Sequence, residues 1–192
     1  MYNQITETLE RVSPNLFQEG VQWYSKANQF CLDLSNEYNV PLRYVTGLTS
    51  LFSPLKSWEM NKRMVKEYLE CQNCKTFSYQ RKKSVKLWTT IISNIDDEEA
   101  QDRFIMKTLN GFKTVSFYHN ITYPLTSDKV TIDSHMLKLA PYKHLTPKRY
   151  LEYENCVKEV AKEKSLVPNQ VQAIIWLKLK DGNSTKRIKA ES

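Results

Sequence analysis

Apolar residues recur at helical spacing along almost the whole chain, and prolines mark where the pattern restarts. Residues 2–12 form a short amphipathic segment that ends at Ser13-Pro14. Over 15–38, Leu16, Phe17, Val21, Tyr24, Ala27, Phe30, Cys31 and Leu34 make one core-facing stripe. Pro41 opens a helix with Leu42, Val45, Leu48, Leu51 and Phe52 on its apolar face, and Ser53-Pro54 breaks it. Ser57 is placed to cap the next helix, with Trp58, Met64, Val65 and Tyr68 inward and Lys62, Arg63 and Lys66 outward. Residues 70–83 read as an exposed connection ending in Arg81-Lys82-Lys83. Helices are predicted over 84–95, 97–109 and 112–121, with Asp97, Glu98 and Glu99 in the first turn of the second. After a loop over 122–131, Asp133 starts a helix to Ala140, Thr146-Pro147 one to Lys164, and Pro168 one that covers Gln170 to Leu179. Val130-Thr131-Ile132 is the one β-like run, too short for a sheet. The expected fold class is therefore all-α, with residues 1–180 as one two-lobed helical domain and 181–192 as a frayed polar tail.

Two stretches carry candidate chemistry. The first is Leu109-Asn110-Gly111-Phe112-Lys113-Thr114, where a tight turn joins two helices. Gly111 is expected to supply the positive φ that such a reversal needs. Free backbone N–H groups at the turn and at the start of the following helix suit a phosphate. The same turn also serves any antiparallel helix pair. The second stretch is Val130-Thr131-Ile132-Asp133-Ser134-His135. Asp133 reads as a helix cap, accepting from N–H groups two or three residues on. A carboxylate so fixed in direction is also suited to activate a water or to stabilise a developing cation. His135 reads as a structural hydrogen-bonding residue.

Composition narrows the partner. The chain has 192 residues, 41% of them hydrophobic, and carries 28 Lys and Arg against 21 Asp and Glu, a net charge of +7. A polyanionic partner suits that balance, because each phosphate neutralised releases condensed counterions. No basic region leads into an apolar core at the start, and no apolar run approaches the roughly 20 residues of a membrane span. These features predict no signal peptide, no membrane association and a cytoplasmic location. Cys71 and Cys74 have zinc-knuckle spacing without a second pair, and three histidines are few for a metal cluster, so no metal is expected.

Taken together, these residues resemble the helix-hairpin-helix DNA glycosylase superfamily, which includes endonuclease III and the adenine glycosylases, over roughly residues 42–180. Leu51-Phe52-Ser53-Pro54 leading to Asn61-Lys62 is similar to the family's Leu-Ser element and Asn-bearing helix. Leu109-Asn110-Gly111-Phe112-Lys113-Thr114 resembles its Leu-Pro-Gly-Val-Gly hairpin and basic helix, with one glycine in place of two. Thr131-Ile132-Asp133-Ser134-His135-Met136 resembles its catalytic Asp-Thr-His segment. The chain is also similar to small glycosylase-like proteins of phages and mobile elements, through Ser53-Pro54, Trp58, Gly111, Lys113, Thr131-Ile132-Asp133 and Gln170-Val171-Gln172-Ala173. Some relatives of that kind act on modified thymine in viral DNA, which would place the chain in a host cytoplasm.

The resemblance implies a monomeric enzyme that flips a damaged or modified base out of double-stranded DNA and cleaves its glycosidic bond. Asp133 would be the catalytic carboxylate, and Lys113 the amine of a lyase step or else a phosphate contact. Asn110, Gly111, Phe112 and Thr114, with Lys56, Arg81, Lys82 and Lys83, would bind DNA. Leu55 or Lys56 would fill the gap left by the flipped base. No cofactor is implied, and no iron–sulfur cluster, since no cysteine follows Cys156. The residues leave two other readings open: a non-catalytic DNA-binding module, and a structural helical protein.

Overall fold

The computed structural model describes residues 1–70 and 78–190, with side chains described over 1–70 and 80–180. The described residues are helical, with no strand. The helices are α1 (Tyr2–Glu10), α2 (Pro14–Glu37), α3 (Leu42–Phe52), α4 (Trp58–Glu70), α5 (Ser78–Ser93), α6 (Glu98–Leu109), α7 (Phe112–Thr122), α8 (Pro147–Glu163) and α9 (Pro168–Ala190), and a 3₁₀ turn covers Met136–Leu139. They divide into two compact units: Met1–Lys26 with Tyr123–Ser192, and Ala27–Thr122.

In the first unit, α8 and α9 pack together and α1 lies against both. The core is built from Ile5, Leu9, Val130, Ile132, Met136, Tyr153, Val157, Val160, Val171 and Ile174. At its rim the Tyr2 hydroxyl donates to Glu163, and Lys164 pairs with Glu10 at 3.6 Å. Gly20 of α2 meets α9 backbone to backbone: a Cβ there would fall 2.6 Å from the Ile174 Cα.

In the second unit α3 is the central element, touching α4, α5, α6 and α7. All of its residues from Tyr44 to Phe52 are buried, as expected of a helix surrounded on every side. Its polar side chains are paired locally: Thr49 donates to the Val45 carbonyl at 2.8 Å, and Ser50 donates to the Thr114 carbonyl. Arg43 pairs with Asp102 at 3.1 Å and with Glu98 at 2.8 Å, and Tyr118 donates to Asp102. These contacts tie α3 to α6 and α7.

Four local expectations change. α5 begins at Ser78, so Arg81, Lys82 and Lys83 lie on its early turns and not in a connection. α9 continues to Ala190 instead of fraying after Leu179. No proline interrupts that stretch, and the helix continues through Asp181-Gly182-Asn183-Ser184-Thr185 although those residues are poor helix formers. The segment after Asp133 forms a 3₁₀ turn of four residues, not a helix to Ala140. Pro141 stands in the way, because it removes a donor and restricts the residue before it. The left-handed residue of the α6–α7 turn is Asn110, with φ 49° and ψ 53°, while Gly111 has no positive φ. Asparagine tolerates that region better than most residues, so it ends α6 as glycine was expected to.

Candidate functional site

Val130–Ile132, which lead into Asp133, belong to no helix or strand among the described residues. Side chains of α8 hold them in place. The Val130 N–H donates to Glu154 Oε1 at 3.0 Å. The Tyr150 hydroxyl donates to the Val130 carbonyl at 2.7 Å and accepts from the Ile132 N–H at 3.2 Å. One hydroxyl thus satisfies two buried backbone groups. From α2, the Tyr24 hydroxyl donates to Gln172 Oε1 at 2.6 Å and lies 3.1 Å from the Thr131 hydroxyl. Farther along, the Tyr153 hydroxyl donates to the Met136 carbonyl at 2.8 Å. Burial pushes the Tyr153 phenol well above its ordinary range, with Tyr142 and Asp133 adding to the shift.

Asp133 sits where this clamped segment turns. Its Oδ1 accepts from the His135 N–H at 2.9 Å and the Met136 N–H at 3.0 Å. Its Oδ2 accepts from the Trp176 Nε1–H at 2.9 Å. Trp176 is held in turn: the Trp23 ring meets it edge-on at 5.7 Å, and the Lys180 ammonium lies 4.2 Å from its centroid. A carboxylate offers about four acceptor positions, and the three named bonds leave Oδ2 with one. The residue as a whole is half-buried.

The remaining candidates lie in the second unit. Asn110, Gly111, Phe112, Lys113 and Thr114 are contiguous at the α6–α7 junction, where Thr114 donates to the Gly111 carbonyl at 3.1 Å. Phe112 is exposed and Lys113 is half-buried in the first turn of α7. Arg81, Lys82 and Lys83 are exposed on α5, and Lys56 is exposed in the turn after α3. That turn is closed by a bond from the Lys56 N–H to the Ser53 carbonyl at 3.2 Å. Its third residue, Leu55, has φ 60° and is fully exposed. Pro54 in second place and positive φ in third make a type II arrangement, which favours glycine in the third position. An apolar, β-substituted residue there is strained and projects into solvent.

Sequence reasoning missed the groups that hold Asp133. Trp176 lies 43 residues away and Tyr150 lies 17 away, on helices whose apolar patterns read simply as core. The one available signal was polar: a partly buried indole N–H and a buried Glu154 must each find a partner.

Among the described residues, no three His, Cys, Asp or Glu side chains gather as metal ligands, and Cys71 and Cys74 lie outside them. Among the described residues, no helix is long and apolar enough to cross a membrane. The family described as "Family of unknown function (DUF7178)" matches residues 1–183. The chain belongs to this family. The match runs through both units and includes the whole Asp133 segment. Searches of curated proteins and of solved structures returned no match.

Proposed function

We propose that this chain is a DNA glycosylase-like enzyme in which Asp133 is the working carboxylate. One observation carries the reading: three donors fix Asp133 in direction, one acceptor position on Oδ2 is left over, and the residue is only half-buried. Such a group can take a proton from water as that water attacks the anomeric carbon. The glycosidic bond breaks ahead of that attack, and the base departs with the bonding pair. The carboxylate's negative charge also stabilises the oxocarbenium-like sugar as it forms. The base must first leave the stack, which costs unpairing and unstacking energy.

Leu55 supports the same reading. A strained, fully exposed leucine is costly for a free protein and well suited to enter the space a flipped base vacates. Leu55→Gly is expected to relieve the turn by about 1 kcal/mol. We expect thermal unfolding to shift upward while base release falls. Unchanged base release would remove Leu55 from the mechanism.

Asp133→Asn tests the carboxylate. Base release from duplex DNA containing modified or damaged bases should fall about a hundredfold or more, as for loss of an acid–base group, with DNA affinity unchanged. The bonds from His135 and Met136 favour a second reading, in which Asp133 is only a cap on a non-catalytic DNA-binding protein. No base release from the wild type on any such duplex would leave that one standing. Lys113 is tested separately. Its neutral amine, adding to the aldehyde carbon of an abasic sugar with loss of water, would form an iminium that borohydride reduces to a stable adduct. If no adduct forms, Lys113 is a phosphate contact.

A further inference from the structure

The surface that follows Asp133 in the first unit has an unusual charge pattern. From Ser134 to Leu151 the sequence holds Lys138, Lys143, Lys148 and Arg149, together with His144, and no Asp or Glu. Those four cations equal more than half of the chain's net charge of +7. All four are exposed, as is His144. Elsewhere Lys66 pairs with Glu37, Lys129 with Asp128, and Lys164 with Glu10. Among the described residues, Lys143, Lys148 and Arg149 have no carboxylate partner.

The placement is also fixed. Tyr142 donates from its hydroxyl to the Arg149 carbonyl at 2.8 Å, and its ring lies 5.1 Å below the Arg149 guanidinium. Arg149 Nη1 donates to the His144 carbonyl at 3.3 Å. The bend over residues 141–144 is thereby tied to the first turn of α8, and the Arg149 guanidinium is held without a ligand. That first turn carries Lys148 and Arg149 and no acid. The positive end of a helix ordinarily favours carboxylates there, so the arrangement repels itself until an anion arrives. Beside it is a shallow depression of about 450 Å³ lined by Ser134, Leu137, Lys138, Pro141, Tyr142 and Lys143.

We propose that this surface grips the phosphodiester backbone of DNA. It deepens the reading above, on which it rests for the kind of polyanion, by naming a binding face in the unit that carries Asp133. The pattern fits a polyelectrolyte better than a lipid surface. Of the exposed large apolar side chains among the described residues, Leu151 alone falls in this stretch, at its end, so the patch offers mostly charge and little to anchor it in a bilayer. Ser134 directly follows Asp133, so a strand held in the depression runs beside the carboxylate's own turn.

The test replaces Lys143, Lys148 and Arg149 by glutamine in the full chain and titrates a duplex of random sequence at several salt concentrations. The slope of log affinity against log salt should become shallower by about three, one for each lost phosphate contact. Affinity at 0.1 M salt should fall more than about tenfold. A control variant, Lys66→Gln with Lys129→Gln and Lys164→Gln, removes the same charge from paired positions and should bind nearly as the wild type does. Equal losses in the two variants would overturn the proposal, since net charge alone would then explain them. So would an unchanged slope in the first variant, or wild-type binding to vesicles of anionic phospholipid without binding to DNA. If the slope changes as expected and the wild type releases no base, the surface stands and the glycosylase reading falls. If base release persists with an unchanged slope, the reverse holds.

Discussion

Gly20→Ala should lower the unfolding temperature by roughly 5–10 °C, the equivalent of about 2–3 kcal/mol for a chain of this size. Gly20 is buried in α2, and an added Cβ would sit 2.5 Å from Ile174 Cγ1, 2.6 Å from its Cα and 2.8 Å from its N. A side-chain end can swing aside; backbone atoms of a packed helix cannot. Ile174 is itself fully buried, with Val171 and Ile175 around it in the same core. Relief therefore requires α2 and α9 to separate. Alanine would gain about 1 kcal/mol over glycine in a helix interior, so the steric term must exceed that gain before any loss is seen. Gly47→Ala is the internal comparison, since Gly47 is also buried and helical. There the nearest atom is the end of the Leu87 side chain at 3.4 Å, an ordinary contact. That substitution should leave stability unchanged or raise it by up to about 1 kcal/mol. Thermal and urea unfolding of both variants decide the matter. A Gly20→Ala protein as stable as the wild type would show that α2 and α9 adjust freely.

The contrast between these glycines shows where sequence reasoning stops. Both sit within apolar helical patterns, and nothing local separates a residue facing Leu87 from one facing the Ile174 backbone. What was legible depends on near neighbours along the chain. Ser57, Asp97 and Thr146 cap their helices through bonds three residues on, and Asp133 reaches the amides of His135 and Met136 in the same way. Prolines bound α2, α3, α8 and α9 because their effect on the backbone is local. The α6–α7 turn was legible as a turn, but the choice between Asn110 and Gly111 for its left-handed residue was not, since both tolerate that region. The extent of the turn after Asp133 and the start of α5 depend on packing that spacing does not encode. For the site, the chain discloses the carboxylate and its cap. It conceals Trp176, Tyr150 and Glu154, whose contacts with the segment span 18 to 43 residues.

Tyr150→Phe should cost about 2–4 kcal/mol, an unusually large loss for removal of one oxygen. Most buried tyrosines lose one hydrogen bond when the hydroxyl goes. This one leaves two backbone groups without a partner: the Val130 carbonyl, which accepts at 2.7 Å, and the Ile132 N–H, which donates at 3.2 Å. Val130 and Ile132 are 0% and 1% exposed, so water cannot replace the hydroxyl without opening the core. Tyr142→Phe gives the comparison, because that hydroxyl serves one carbonyl at an exposed position and a weakly accepting Met1 sulfur at 3.7 Å, and its loss should cost under about 1 kcal/mol. Glu154→Gln should be milder than Glu154→Leu, because an amide oxygen still accepts from the Val130 N–H. Tyr150→Phe combined with Glu154→Leu should fall short of the sum of the single losses, since both hold the same short segment. The effect on chemistry should exceed the effect on DNA affinity: Asp133 ends this segment, and slack in Val130–Ile132 moves its carboxylate away from the Trp176 N–H. Measured below the variant's unfolding temperature, base release should drop while affinity holds. A Tyr150→Phe protein within about 0.5 kcal/mol of wild type, the range of an ordinary surface change, would mean that the segment finds other partners and that α8 does not set the carboxylate's position.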